Sequence, residues 1–141
     1  MNRNNQRKAS EKSQEWNDIT EILIGKIVTA FAEMDIEKLV ELLDEEIEYQ
    51  DTGKWRFLAI IKKQFQNFKK EGDTYLFQQP SRCLGCSYGR FGFVFTGNES
   101  MKMWSLVFQI ENGFLTDIYE CNMMEGHHVE NINESSDELP F

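Results

Sequence analysis

After Gly72 the spacing of apolar residues in this chain changes from three or four to two, and it stays at two as far as Cys121. A run of helices followed by a run of strands is the pattern of an α+β domain. Trp16, Ile19, Leu23, Ile27, Ala30, Phe31 and Met34 draw one stripe along a first helix, which Gly25 weakens by about 1 kcal/mol relative to alanine. Asp35 is placed to cap a short second helix with Ile36, Leu39, Val40 and Leu43 facing inward. The stretch EIEYQD alternates like a strand. A third helix follows, with Phe57, Leu58, Ile61, Phe65 and Phe68 on one side and Lys62, Lys63, Lys69 and Lys70 on its solvated side.

In the second half Tyr75 and Phe77 mark one strand, and Phe91, Phe93 and Phe95 a second. Trp104, Leu106, Phe108 and Ile110 mark a third, and FLTDIYEC reads as the fourth. Asn112-Gly113 is a strong hairpin signal, because both central positions of a type I′ turn need positive φ. TGNES is a weaker turn between the second and third of these strands. With a two-residue loop at Asn112-Gly113, Glu111 faces Phe114 and, counting outward, Trp104 faces Cys121. This register puts Phe91, Phe93, Trp104, Leu106, Phe108, Leu115, Asp117, Tyr119 and Cys121 on the face the helices cover. Val94, Met101, Met103, Val107, Phe114 and Ile118 then share the other face with Thr96, Ser105, Thr116 and Glu120. So apolar an outer face predicts pairing with a second copy.

The segment RCLGCSYGR spaces Cys83 and Cys86 as zinc and redox pairs do. Centring the preceding turn on Asn98 puts Cys86 near Gln109–Glu111, five to seven residues along the strands from Cys121, or roughly 17–23 Å. Zinc holds sulfur at about 2.3 Å, so this register does not bring the three thiols to one ion. A glycine- and phenylalanine-rich strand, not a helix N-terminus, follows the pair, which argues against a redox motif. His127 and His128 lie in the polar C-terminal stretch. The expectation is a turn between strands, with no metal and no cofactor. Phosphate-binding glycine loops, Gly-x-Ser-x-Gly elbows and His-Glu-x-x-His motifs are absent from the sequence.

With 141 residues, one domain is expected over about 15–124, flanked by polar tails at 1–14 and 125–141 whose composition predicts disorder. The formal charge of −9 and pI near 4.7 argue against nucleic acid and anionic membranes as partners. The opening MNRNNQRKASEKSQ has no apolar core, so a cytoplasmic protein with reduced thiols is expected.

Taken in order, the helix, the short helix from Asp35, a strand ending in aspartate, a third helix and a long meander resemble the nuclear transport factor 2-like superfamily. That superfamily includes ketosteroid isomerases and polyketide cyclases. MDIEKLVELLDEEIEYQDTG is similar to its first third and LTDIYEC to its close, and the likeness spans about residues 16–122. The resemblance implies three N-terminal helices packed in the concave face of a strongly curved, mainly antiparallel sheet, a cystatin-like cone around a pocket. It also implies a general base at the end of the first strand, where Asp51 stands.

Independently, alternation in IEYQD puts Asp51 on the side of Ile47 and Tyr49, where apolar surroundings would raise a carboxyl pKa toward the range useful for proton transfer. The alternative is that Asp51 or Thr52 caps the third helix or closes a turn. Asp117 raises the same choice between lining a pocket and satisfying buried groups, and two acids facing one cavity could divide acid and base roles. The isomerase pattern is incomplete: the first helix has no tyrosine and the strand MKMWSLVFQI no acid. Three functions remain in view. One is a domain that binds a small apolar or aromatic ligand in a pocket lined by Tyr49, Trp55, Trp104, Asp117 and Tyr119. Another is a cofactor-free isomerase, cyclase or dehydratase using Asp51 as base. The third is a non-catalytic homodimeric interaction module with a filled core.

Overall fold

A computed structural model describes residues 18–81 and 90–121. Three helices, α1 (Asp18–Ala32), α2 (Ile36–Leu42) and α3 (Lys54–Lys70), precede four strands, β1 (Leu76–Ser81), β2 (Arg90–Gly97), β3 (Met103–Glu111) and β4 (Phe114–Glu120). The strands form an antiparallel meander in the order β1-β2-β3-β4, and the helices pack on one of its faces. This is the α+β class that the change of period predicts. Val28, Phe31, Phe57, Ile61 and Phe65 from the helices share one core with Phe95, Trp104, Leu106, Phe108 and Ile118 from the sheet.

The helices begin and end for local reasons. Asp35 caps α2 as expected, its carboxylate accepting from the Lys38 N–H at 3.1 Å. At the other end of α2, Lys54 is buried and its Nζ donates to the Val40 and Leu43 carbonyls at 2.7 and 2.8 Å. A cation at a helix C-terminus satisfies carbonyls that lack an intrahelical donor. The inward face of α3 is the predicted set Phe57, Leu58, Ile61, Phe65 and Phe68, with Lys69 and Lys70 in the last turn, where the helix dipole favours positive charge. The phase of α1 differs from expectation at its start. Ile19 is 79 % exposed, while Thr20 and Ile24 are buried. The Thr20 hydroxyl donates to the Gly113 carbonyl at 2.7 Å, and this bond turns Thr20 inward and Ile19 out.

The predicted first strand is not formed: residues 46–51 hold turns and a single bridge between Tyr49 and Thr52. Tyr49 N–H donates to Thr52 O at 2.8 Å and Thr52 N–H to Tyr49 O at 3.0 Å, with Gln50 at φ 54° and Asp51 at φ 63° between them. These angles belong to a two-residue type I′ turn, so the alternation of IEYQD continues into a reversal. The N-cap of α3 is Gly53, so neither Asp51 nor Thr52 caps that helix, and Asp51 closes the turn instead.

The β3–β4 hairpin has the expected turn, Asn112 at φ 54° and Gly113 at φ 83°, and the expected Glu111–Phe114 pair. Two steps further the register slips. Ile110 pairs with Leu115 but Gln109 pairs with Asp117, which leaves Thr116 as an extra residue in β4. A bulge of one residue sends every later side chain to the opposite face. Ile118 is therefore in the core, and Asp117, Tyr119 and Cys121 are on the outer face, the reverse of expectation. Cys121 N–H bonds to Ser105 O at 3.1 Å, so Cys121 stands opposite Ser105, not Trp104. Gln109 pairs with Arg90 on its other side, and Cys83 and Cys86 lie outside the described residues.

The β2–β3 turn is held by a buried acid from the approach to β1. Asp73 Oδ1 accepts from Glu99 and Ser100 N–H at 2.7 and 2.8 Å, and Oδ2 accepts from the Ser100 hydroxyl at 2.7 Å. Gly97 is required beside it, because a β-carbon there would collide with Asp73 Oδ2. Burial pushes the Asp73 carboxyl up, but the Ser100 and Glu99 hydrogen bonds, with Lys102 nearby, outweigh it and hold it below its ordinary 3.8.

Candidate functional site

The residues expected to line one pocket occupy three different places. Tyr49 and Trp104 are in the core. The Tyr49 ring stacks on Phe57 with centroids 5.2 Å apart, and its hydroxyl accepts from the Asp44 N–H at 2.9 Å. Burial raises the Tyr49 pKa above 10.0; the Asp44 hydrogen bond opposes this and the Asp44 and Asp117 charges add to it. Trp104 lies within 5.6–6.2 Å of Phe31, Phe65, Phe68 and Phe95, ring against ring in the core. Trp55 is 57 % exposed, with the Lys54 ammonium 5.0 Å from its ring centroid. It faces outward because the buried stripe of α3 runs through Lys54, Phe57, Leu58 and Ile61, which leaves position 55 on the solvent side.

Asp51, Asp117 and Tyr119 do come together, but outside. They line a surface cleft of about 420 Å³ with Gln50, Gln109 and Glu120, where the Gln50-Asp51 turn meets β4. β4 is an edge strand, and its outward backbone groups need partners. Gln50 supplies one: its Oε1 accepts from the Glu120 N–H at 2.8 Å, while its own N–H donates to the Asp117 side-chain Oδ1 at 2.8 Å. The left-handed turn is thus clamped to the sheet at both ends of one residue. Glu120 reaches back to accept from Trp104 Nε1 at 2.8 Å.

This arrangement is a hydrogen-bonding one. Asp51 is exposed, so the apolar surroundings that the proton-transfer reading required are absent, and Asp117 is engaged with the backbone of Gln50. Gln50, Gln109 and Glu120 were not foreseen as part of the cleft. Nothing local marks them, since Gln50 meets β4 across about seventy residues of chain and Gln109 and Glu120 enter through the bulge. Among the described residues no three His, Cys, Asp or Glu side chains are grouped to hold a metal ion; His127 and His128, like Cys83 and Cys86, lie outside them. No described helix is long and apolar enough to cross a membrane. In comparisons with known proteins, no protein-family model matches the chain and no curated protein is similar to it.

Proposed function

We propose that this protein is a non-catalytic interaction module on a nuclear transport factor 2-like plan, dimeric through the outer face of its sheet. The observation that carries the reading is where its apolar surface lies. Inside, Phe31, Phe65, Phe95, Trp104 and Phe108 occupy one another's space, whereas outside Tyr75 and Phe77 stay 44 % and 50 % exposed in a T-shaped pair at 5.1 Å. Alternation from buried Leu76 puts both on the outer face, beside Thr96 and Met103, with exposed Met101 at the adjoining turn. An aromatic and methionine corner of this kind suits a self-complementary contact between copies. The setting proposed is the cytoplasm, where Cys121 remains a thiol.

Light scattering on the full chain tests this reading. We expect a mass twice 16.6 kDa for the wild type and a shift to monomer for Phe77→Glu. A wild-type monomer at all concentrations up to millimolar contradicts it.

A small-ligand reading retains one supporting observation, the cleft that gathers Asp51, Asp117 and Tyr119. Its lining suits a polar hydrogen-bonding ligand better than the apolar or aromatic one suggested by the sequence. The reading with Asp51 as general base has the same cleft to work in and no apolar enclosure to assist it.

A further inference from the structure

Helix α3 presents solvent with charge of one sign. It holds six of the chain's 15 Lys and Arg and none of its 24 Asp and Glu. Lys54 is buried on the α2 carbonyls, and the other five, Arg56, Lys62, Lys63, Lys69 and Lys70, are exposed. None of the five has an ion-pair partner among the described residues. Solvation alone does not require this. A solvated helix gains from acids in its first turn and from Glu–Lys pairs four residues apart. Helices α1 and α2 open on such acids, Asp18 and Glu21 in one and Glu37 in the other. The first turn of α3 has no acid and contains Arg56, where the helix dipole disfavours a cation.

The five cations fall in two lines. Arg56, Lys63 and Lys70 are spaced by seven, and so are Lys62 and Lys69, with exposed Trp55 at the head of their line. At 3.6 residues per turn each line runs nearly parallel to the helix axis, drifting about 20° per step, with about 10.5 Å between successive cations. Between the lines lie Ala59 and Gln66, also seven apart and exposed, and Ala59 leaves the strip shallow at its centre.

We propose that this face docks an acidic α-helix of another protein, laid along α3 over Ala59 and Gln66 with carboxylates against both lines of cations. A seven-residue repeat is the period at which two helices stay in register along their length. The methyl of Ala59 lets their axes approach, and Trp55 adds an aromatic anchor of the kind enriched in protein contacts. Charge favours a helix over a larger anion. The chain's net −9 repels a duplex or a lipid surface, which extends far beyond the patch, whereas a helix about 10 Å across stays close to one Debye length, about 8 Å, from the cations. The inward residues Phe57, Ile61 and Phe65 pack toward the sheet, so this face points away from it and includes neither Tyr75 nor Phe77. It therefore stands or falls apart from the dimer.

The test is calorimetric titration of the full chain with a synthetic three-heptad peptide carrying alanine at a and d and glutamate at e and g. A peptide of the same composition in shuffled order is the control. We expect one peptide per chain, bound about tenfold or more weakly by Lys63→Glu/Lys70→Glu and equally well by Phe77→Glu. Both replaced lysines are exposed, so the thermal unfolding of the double variant should match the wild type. Amide shifts on binding should centre on Arg56, Ala59, Lys63 and Gln66. No binding overturns the proposal, as does binding that the double variant leaves intact. Equal affinity for the shuffled peptide overturns it too, because the face would then attract negative charge of any shape. Tighter binding to phosphatidylserine vesicles or to a single-stranded oligonucleotide would make the partner a phosphate surface and overturn it likewise.

Discussion

Two buried charges do structural work that a reading of local pattern treats as solvated. Asp73 joins the approach to β1 to the β2–β3 turn through three hydrogen bonds. Replacing it with alanine strands the Glu99 and Ser100 donors, and we expect a loss of about 2–3 kcal/mol in urea unfolding near neutral pH. The pH dependence has a definite sign. A carboxyl whose folded pKa lies below its unfolded value of 3.8 stabilises the fold above that value and loses its contribution as pH falls through the lower folded one. The gap between wild type and Asp73→Ala should therefore be constant above about pH 5 and narrow below 3.8. A gap that widens on acidification would contradict the assignment. Lys54 is the second case: Lys54→Met keeps the buried stem but removes the donor to Val40 O and Leu43 O. We expect thermal unfolding to fall by an amount equivalent to about 1–3 kcal/mol, with helix α2 the first segment to lose amide protection.

Among elements, those whose boundaries are set by neighbouring residues are readable from sequence. The stripe of α3, the Asp35 cap and the Asn112-Gly113 turn are formed as their residue types require. The departures arise where a distant group decides. The phase of α1 is set by Thr20 meeting Gly113, the turn at Gln50-Asp51 is held by β4, and the Thr116 bulge decides which face Asp117 and Tyr119 occupy. Alternation in LTDIYEC fits Leu115 inward with either Asp117 or Ile118 to follow, and only the cost of burying Asp117 hints at the second choice. Deleting Thr116 should force the unbulged register, driving Asp117 inward and Ile118 out. We expect that variant to lose more than about 3 kcal/mol or to fail to fold, whereas Thr116→Gly, which keeps the extra residue, folds. The turn offers the converse test. Asp51→Gly suits φ 63° better than aspartate does, and we expect it to unfold at equal or higher urea, by up to about 1 kcal/mol. A loss of stability would mean that the Asp51 side chain itself holds the turn.

For the molecule as a whole, the α+β architecture is readable because a change of period is a property of long segments. Whether a ligand pocket opens inside it is not legible in the same way, because whether side chains fill a space depends on ring packing that no spacing rule encodes. Trp104 packs among Phe31, Phe65, Phe68 and Phe95 in the core shared by helices and sheet. In the proposed dimer, the exposed Tyr75–Phe77 corner is the contact between copies. The most direct test is dilution of the full chain from millimolar to low micromolar, followed by amide and methyl chemical shifts. Shifts that move together at Tyr75, Phe77, Thr96, Met101 and Met103, with the cleft residues Asp51 and Asp117 unchanged, are the result expected. Shifts that do not depend on concentration, or that depend on it only around the cleft, contradict the dimer.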